Sequence, residues 1–563
     1  MKRNPKNLTA RPYDVLVVGG GIYGSFVAWD AALRGLSVAL VDKGDFGHAT
    51  SANNLRIIHG GLRYLQHGDI LRMRQSIRER MVLMRIAPHL IHPLPFLVPT
   101  YGHLTRGREA MALALLLNDL IGFDRNRLTD PEKFLPRGRI ISRDQCIEFF
   151  PGVDQKGLTG AAIWYDCQMS SPERLTLSVV KAAAQAGAEV CNYIEVRGFL
   201  HRQGRVTSVS VFDGLSGEQF EIQASAVVNC GGPWVNALLG QLNGYHFRQV
   251  RFSKAMNILI RRQWVPQYAV GFYSKHQFRD KDALINKGSR LLFITPWQGC
   301  SLIGTTHEIY DGDPNSFEVS AAEVCKFVEE INEAYPSACL RLEDVSHVFP
   351  GLLPMDGGAR VDQNVNLQKH YQIFDHALDG RVEGLISVVG VKFTTARDVA
   401  EKVVNLVFKK LGKPVPKCNT ANTPVFGGRI ERVNEFLRSE SERSDRQVPS
   451  DVLRHLVLNY GSAYQNVIHH IRQDPRLGEP LAPPSPIIKA EVLHGVQEEM
   501  AVKLADIVMR RTGLGLLGTP EDQALRNCAD LMAAELGWDA RRRQQELEDT
   551  KRGLFETSLR AHA

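Results

Sequence analysis

Gly19-Gly20-Gly21-Ile22-Tyr23-Gly24 lies between the apolar run Tyr13–Val18 and a small-residue-rich helical stretch reaching Leu33; no other feature restricts the fold as strongly. In a Gly-x-Gly-x-x-Gly turn, Gly19 permits the tight bend, Gly21 lets the backbone approach a pyrophosphate, and Gly24 allows close packing of helix on strand. Gly35 stops the helix, and Ser37–Val41 reads as a second strand ending at Asp42, where an acid hydrogen-bonds a ribose hydroxyl. The βαβ unit is complete within roughly 30 residues. Its helix N-terminus offers unpaired N–H groups and a positive dipole end to phosphates. A bare glycine turn is weak evidence; with both strands, the helix and the acid in register, the reading is dinucleotide binding.

Two later segments read as strands of the same layer. Ala226–Asn229 runs into Gly231-Gly232-Pro233, and Leu385–Val389 ends at Gly390 before a helix from about Thr394. In that helix Ala400, Val403, Val404, Val407, Phe408 and Leu411 keep helical spacing. Lys413-Pro414-Val415-Pro416 breaks the pattern, and the chain beyond it reads mainly helical.

Composition excludes more than it selects. A net charge of +7 over 563 residues, with no dense Lys/Arg block, gives no nucleic-acid surface. The 9 cysteines are scattered without a Cys-x-x-Cys pair, which reads as reduced thiols in a cytoplasmic setting, and no metal site is expected. Met1–Pro12 lacks the apolar stretch of a signal peptide. The apolar run Ala110–Leu117 is too short to span a bilayer and reads as a buried helix in preference to one lying in a membrane surface. Peripheral contact with the inner face of a membrane stays open.

The segment Thr50–Leu65, TSANNLRIIHGGLRYL, separates FAD from NAD. A nicotinamide enzyme has no need of such a stretch after its second strand, whereas in a flavoprotein it can run past the pyrophosphate and along the isoalloxazine. The expected fold is α/β: a Rossmann-like FAD-binding domain (about 11–100, 161–245 and 380–412), interleaved with a mixed-sheet substrate domain (about 101–160 and 246–379), then a helical C-terminal domain over 413–563.

With this segment the chain resembles the FAD-dependent glycerol-3-phosphate dehydrogenase family. The resemblance rests on VVGGGIYG (Val17–Gly24), IIHGGLRYL (Ile57–Leu65), NCGGPWVN (Asn229–Asn236), IGTT (Ile303–Thr306) with YDGDP (Tyr310–Pro314), PGLLPM (Pro350–Met355) and ISVVGVKFTTARDVAEK (Ile386–Lys402). Ala490–Gly515 resembles the family's helical C-terminal domain, so the likeness covers nearly the whole chain. It implies that Gly19, Gly21, Gly24 and Asp42 hold the ADP half of FAD. Thr50, Ser51, Arg56 and Ile57 would line the stretch from pyrophosphate to flavin, with Lys392, Thr394 and Thr395 at the flavin ring. There a helix start and a lysine suit negative charge on the flavin. His59, Arg63 and Tyr64 would face the substrate, with Arg63 and Lys392 as its cationic contacts. Trp234 reads as core, and His48 gives no case for a covalent flavin link.

The departures from the family concentrate in the expected substrate pocket. Leu353 stands where the family usually has a substrate-binding arginine, His307 where Asp is usual after IGTT, and Asn257 where His is usual. Asn53-Asn54-Leu55 replaces small residues and serine. His307 is the obvious compensating group or new general base, because imidazole titrates near neutrality. The implied reaction passes a hydride from a small secondary alcohol to the flavin and then to a quinone or another acceptor. A relative oxidising a different hydroxy acid, polyol or amine, and a non-catalytic FAD-binding scaffold, stay open, as does a homodimer.

Overall fold

The computed structural model describes residues 1–103, 107–242, 245–276, 290–356, 365–379, 382–443 and 447–558. Tyr13–Val18 forms the central strand of an eight-stranded sheet. It pairs in parallel with Val38–Val41 on one side and with Gln219–Asn229 on the other. Glu189–Cys191 and Leu385–Val389 extend the parallel core outward. Val15, Leu16 and Val17 are all fully buried, because the sheet is covered on both faces. Val15 and Val17 pack under helices Ile22–Leu33, Pro172–Gln185 and Ala396–Lys410. Leu16 and Val18 meet a meander formed by Ile194–Arg202 and Arg205–Asp213.

A nine-stranded, mostly antiparallel sheet forms the second layer. At one end Val345–Met355, Arg251–Ile260 and Cys300–Tyr310 lie side by side; Leu291–Trp297 and Ala269–Tyr273 continue it to Ile91–Tyr101 and Leu158–Met169. Ile57–Ile58 pairs with Gln168 and Cys167. The last three of these strands therefore join the second sheet, although they lie in stretches assigned above to the nucleotide-binding layer. Conversely Gln372–Asp375 pairs with Leu385–Val389 on the first sheet. Apolar strand composition does not reveal which sheet will supply the partner.

Helix Arg108–Ile121 corrects an expectation. Leu115 is buried, but Leu113 is 58%, Leu116 57% and Leu120 62% exposed. Its apolar run covers more of the helix circumference than one core-facing stripe can bury.

Helices from Val433–Ser441 to Ala540–Ser558 form the C-terminal layer, tied to the rest by buried charge. Asp45, three residues past Asp42, accepts from Arg510 Nε (2.6 Å), Arg511 Nη1 (2.6 Å), Arg511 Nη2 (2.8 Å) and Asn192 Nδ2 (3.0 Å). Burial alone would raise this carboxyl, but the two guanidinium groups outweigh it and hold it far below its usual range. Glu499 makes a second tie, to Arg174 Nη1 (2.6 Å) and Lys181 Nζ (2.9 Å). Asp45→Ala leaves two buried guanidinium groups without their anion and is expected to cost about 3–5 kcal/mol, read as a lowered urea midpoint. A midpoint matching the parent's would refute this role.

Candidate active site

The parallel strands Tyr13–Val18, Val38–Val41, Gln219–Asn229 and Leu385–Val389 all end at one edge, and a cavity of about 450 Å³ opens there, lined by Val18, Gly19, Asp42, Cys230 and Gly390. Ligands in open α/β sheets bind beyond these carboxyl ends. The glycine turn has the geometry its spacing predicts. Gly19 has φ +102°, and a Cβ there would come 2.5 Å from the Cys230 carbonyl oxygen. A Cβ on Gly24 would meet the Gly19 oxygen at 1.9 Å. No side chain of the turn itself caps helix Ile22–Leu33. Ser51 reaches in from outside, its Oγ accepting from Ile22 N at 3.0 Å.

Asp42 accepts from Gly20 N (2.6 Å) and Gly44 N (2.9 Å), with His48 Nδ1 at 3.5 Å. Burial raises its carboxyl above the usual range against the opposing pull of His48 and the two amides. Backbone amides at a helix start, a buried acid at the end of the second strand and room bounded by Ile194–Val196 make a donor and acceptor set suited to an adenosine diphosphate.

The cavity runs on past Thr50, Ser51 and Asn53 to Ala255, Asn257, Thr305, Leu353 and Lys392. Lys392 Nζ donates to Tyr64 Oη and to Ser76 Oγ, each at 2.6 Å, and lies 4.5 Å above the Tyr64 ring. Burial, helped by nearby Arg72 and opposed by Asp166 and Asp69, pushes its pKa down to about 7. Its main chain is fixed by Tyr23, whose hydroxyl donates to the Lys392 carbonyl at 2.7 Å. The stretch ending at Tyr64 and the helix opening near Thr394, far apart in sequence, thus meet at one end of the cavity.

Of the other residues singled out above, Asn257 and Leu353 line the cavity, whereas His59, Arg63, Tyr64 and His307 do not. His59 is half-exposed, its Nδ1 3.4 Å from Asp166 Oδ2. Asp166 also accepts from Gly60 N (2.6 Å) and pairs with Arg80. Burial pulls that carboxyl up, but Arg80 and His59 outweigh it and hold it below its usual range. Arg63 is exposed. His307 stands opposite Ala255, with Nδ1 3.4 Å from Ser253 Oγ, and Leu353 is paired across the strand with Ser253. Burial, helped by Arg290 and Arg63, pushes the His307 imidazole down to about 3. Asn257 Oδ1 accepts from Thr305 Oγ1 at 2.7 Å.

The Arg56 side chain turns away from the cavity. It is fully buried, forks Glu173 at 3.0 and 2.9 Å, and stacks 4.1 Å from the Trp297 ring. Ile57 is buried in the second sheet, and Thr394 and Thr395 are buried behind Lys392, off the cavity wall. Trp234, read from sequence as core, lines the cavity instead, together with Lys43, His48, Glu195 and Asn315, which sequence reasoning did not select. The Gly-Gly-Pro before Trp234 and the YDGDP before Asn315 were the available signals; Asp166, inside a strand, had none.

Residues 14–396 match the FAD dependent oxidoreductase family, and the chain belongs to it. FAD is therefore its cofactor, and the cavity residues fit that group. Residues 418–543 match the C-terminal domain of alpha-glycerophosphate oxidase. The chain is 33% identical over 549 residues to a glycerol-3-phosphate dehydrogenase of Synechocystis sp., covering 95% of each. It is 29% identical to the mitochondrial glycerol-3-phosphate dehydrogenase of Macaca fascicularis, over 96% of this chain and 73% of that one. The glycerol-3-phosphate dehydrogenase from Bacillus halodurans, solved with FAD, superposes with a TM-score of 0.76 at 25% identity, covering 98% of this chain and 96% of that one. The protein is an FAD-dependent oxidoreductase of the glycerol-3-phosphate dehydrogenase type.

Because the Gly19 oxygen cannot retreat from a methyl group on the helix, Gly24→Ala is expected to weaken FAD binding on the order of tenfold or more. Flavin absorbance of the purified variant and titration with FAD measure this; full flavin content at parent affinity would contradict it.

Proposed function

We propose that the chain oxidises the secondary hydroxyl of a small anionic polyol, with glycerol 3-phosphate as the reference compound, and passes the electrons to a quinone-type acceptor. The meeting of Lys392, Tyr64 and Ser76 carries this reading, because it anchors a basic residue in the same cavity lining as Asn257 and Thr305. Bound FAD supplies the hydride acceptor. The chain's own residues bind the anion, orient the carbinol carbon and take its hydroxyl proton.

His59 is the proton acceptor in this scheme: Asp166 accepts from Nδ1–H, which leaves Nε2 free to receive the proton. His307 is unsuited to that task, since an imidazole with a pKa near 3 is too weak a base to take up a hydroxyl proton at neutral pH. It serves as a neutral hydrogen-bonding contact. Arg63 and Lys392 hold the anion. Cofactor contacts are assigned to Gly19, Gly21, Gly24, Asp42, Thr50 and Ser51; Ile57, Thr394 and Thr395 support that wall from behind, and Arg56 fixes the loop.

Leu353 lines the cavity and offers no charge to a substrate anion. A charge-assisted hydrogen bond contributes roughly 1.5–3 kcal/mol, so its absence weakens a phosphate on the order of 10- to 100-fold. This favours a second reading for the substrate: another hydroxy acid or polyol, with glycerol 3-phosphate turned over poorly. Anaerobic mixing tests both. Bleaching of the flavin by glycerol 3-phosphate supports the first, and bleaching by another small alcohol alone supports the second; a flavin that no such compound reduces would sink both.

The acceptor is proposed to arrive through a lipid surface. Among the described residues no helix is long and apolar enough to cross a membrane. Helix Arg108–Ile121 nonetheless presents Leu113, Leu116 and Leu120 outward, beside a Phe123 that is 72% exposed. Arg74 and Arg127 flank Phe123 at 5.1 and 5.9 Å. An apolar face rimmed by cations suits an interfacial helix on anionic lipid.

Lys392 is an ammonium below pH 7 and a neutral amine above it, so substrate-anion affinity, read as 1/KM, should fall as pH rises through about 7. Lys392→Met should flatten that profile at a level roughly 10- to 100-fold lower; an unchanged profile removes Lys392 from substrate binding. The double variant Leu116→Glu/Leu120→Glu should lose co-sedimentation with anionic vesicles and keep its flavin, and retained sedimentation would contradict the lipid contact.

A further inference from the structure

We propose that Lys43, Trp234 and Asn315 form a clasp across the mouth of the cavity at its ADP end, and that this clasp sets how long FAD stays bound. The proposal rests on FAD occupying the cavity with its ADP half at Asp42.

The three residues come from separate places. Lys43 follows Asp42 at the end of the second strand, and Trp234 closes the short turn Gly232–Trp234 after strand Gln219–Asn229. Asn315 belongs to the turn Pro314–Ser316, reached from strand Cys300–Tyr310 of the other sheet. Asn315 Oδ1 accepts from Lys43 Nζ at 2.6 Å and from Trp234 Nε1 at 2.8 Å. Lys43 Nζ also lies 3.9 Å over the Trp234 ring. Each leg of the triangle is thus a direct polar or cation–π contact.

All three line the cavity, yet Asn315 is exposed and the other two only half-buried, which places them at its opening. The acceptor is itself held in place, because Asp313 Oδ1 accepts from Asn315 N (2.9 Å) and Nδ2 (3.0 Å). On the inner side the Trp234 ring lies 6.0 Å from the His48 ring, and His48 reaches Asp42. The clasp therefore joins the two sheets beside the group that would hold the ribose. A ligand lying under it leaves only after Asn315 releases both donors.

The test measures FAD release from the holoenzyme, as the rise of flavin fluorescence after dilution, with the melting temperature recorded alongside. Asn315→Ala breaks both hydrogen bonds and should speed release roughly tenfold. Trp234→Phe keeps the ring under Lys43 but loses the N–H donor, and should speed it a few-fold. Asn315→Asp keeps an acceptor for both donors while losing the Nδ2 donor to Asp313, and should release FAD more slowly than Asn315→Ala. Release within twofold of the parent in Asn315→Ala, whether or not the melting temperature falls, overturns the clasp. Equal acceleration in Asn315→Ala and Asn315→Asp overturns it too. A parent protein that takes up no FAD would instead sink the cofactor assignment on which the proposal rests.

Discussion

The buried carboxylate of Asp45 joins what sequence order keeps apart. It sits in the short loop between Asp42 and His48, and its anchors, Arg510 and Arg511, come from the far end of the chain. The π-helical turn Asp506–Arg511 sets both guanidinium groups on the same carboxylate, and Tyr193 Oη donates to Asp506 at 2.7 Å from beside that loop. Charges this deep are tolerated only when fully paired, so the C-terminal layer and the cofactor loop stand or fall together. Gly47 N donates to Gly20 O at 3.1 Å, which carries the register of the loop to the glycine turn itself. The helical layer is thereby part of the cofactor site at one remove.

At the other end of the cavity the electrostatics reverse. Asp45 is over-supplied with cations, whereas Lys392 has hydroxyl partners and a cationic neighbour in Arg72. An ammonium with neutral partners in a buried place loses its proton readily, and so has most to gain from an arriving anion. On the proposed reading, the site leaves unmet the charge that an anionic substrate would bring.

The parts of this arrangement legible in the sequence are those where one local rule dominates. The glycine turn was readable because steric limits at Gly19 and Gly24 admit no other residue. Leu385–Val389 was readable as a strand because both its faces are covered. Legibility ended where a side chain's surroundings come from remote segments. Arg56, within a cofactor-lining motif, is claimed by Glu173 and Trp297. Trp234, apolar and next to a Gly-Gly-Pro turn, is drawn to the cavity mouth by a hydrogen bond to Asn315 on the other sheet. Helix Arg108–Ile121 reads as buried from composition alone, since no local signal says that Leu113, Leu116 and Leu120 face outward.

The strand face that carries Leu353 follows the same logic of charge. Ser253, His307 and Leu353 are neighbours across three adjacent strands, and all three are neutral at physiological pH, because burial and the adjacent arginines strip the imidazole of its proton. An arginine in place of Leu353 would set another cation beside this cluster, where Arg290 and Arg63 already act on His307. A leucine there leaves the cation count as it is, and a neutral imidazole tolerates the arginines that remain. Asn257, Thr305 and Leu353 give the cavity an uncharged sheet wall, and Lys392 is a basic residue of the same lining. On the proposed reading, that lining suits a ligand carrying one anionic group and neutral hydroxyl groups.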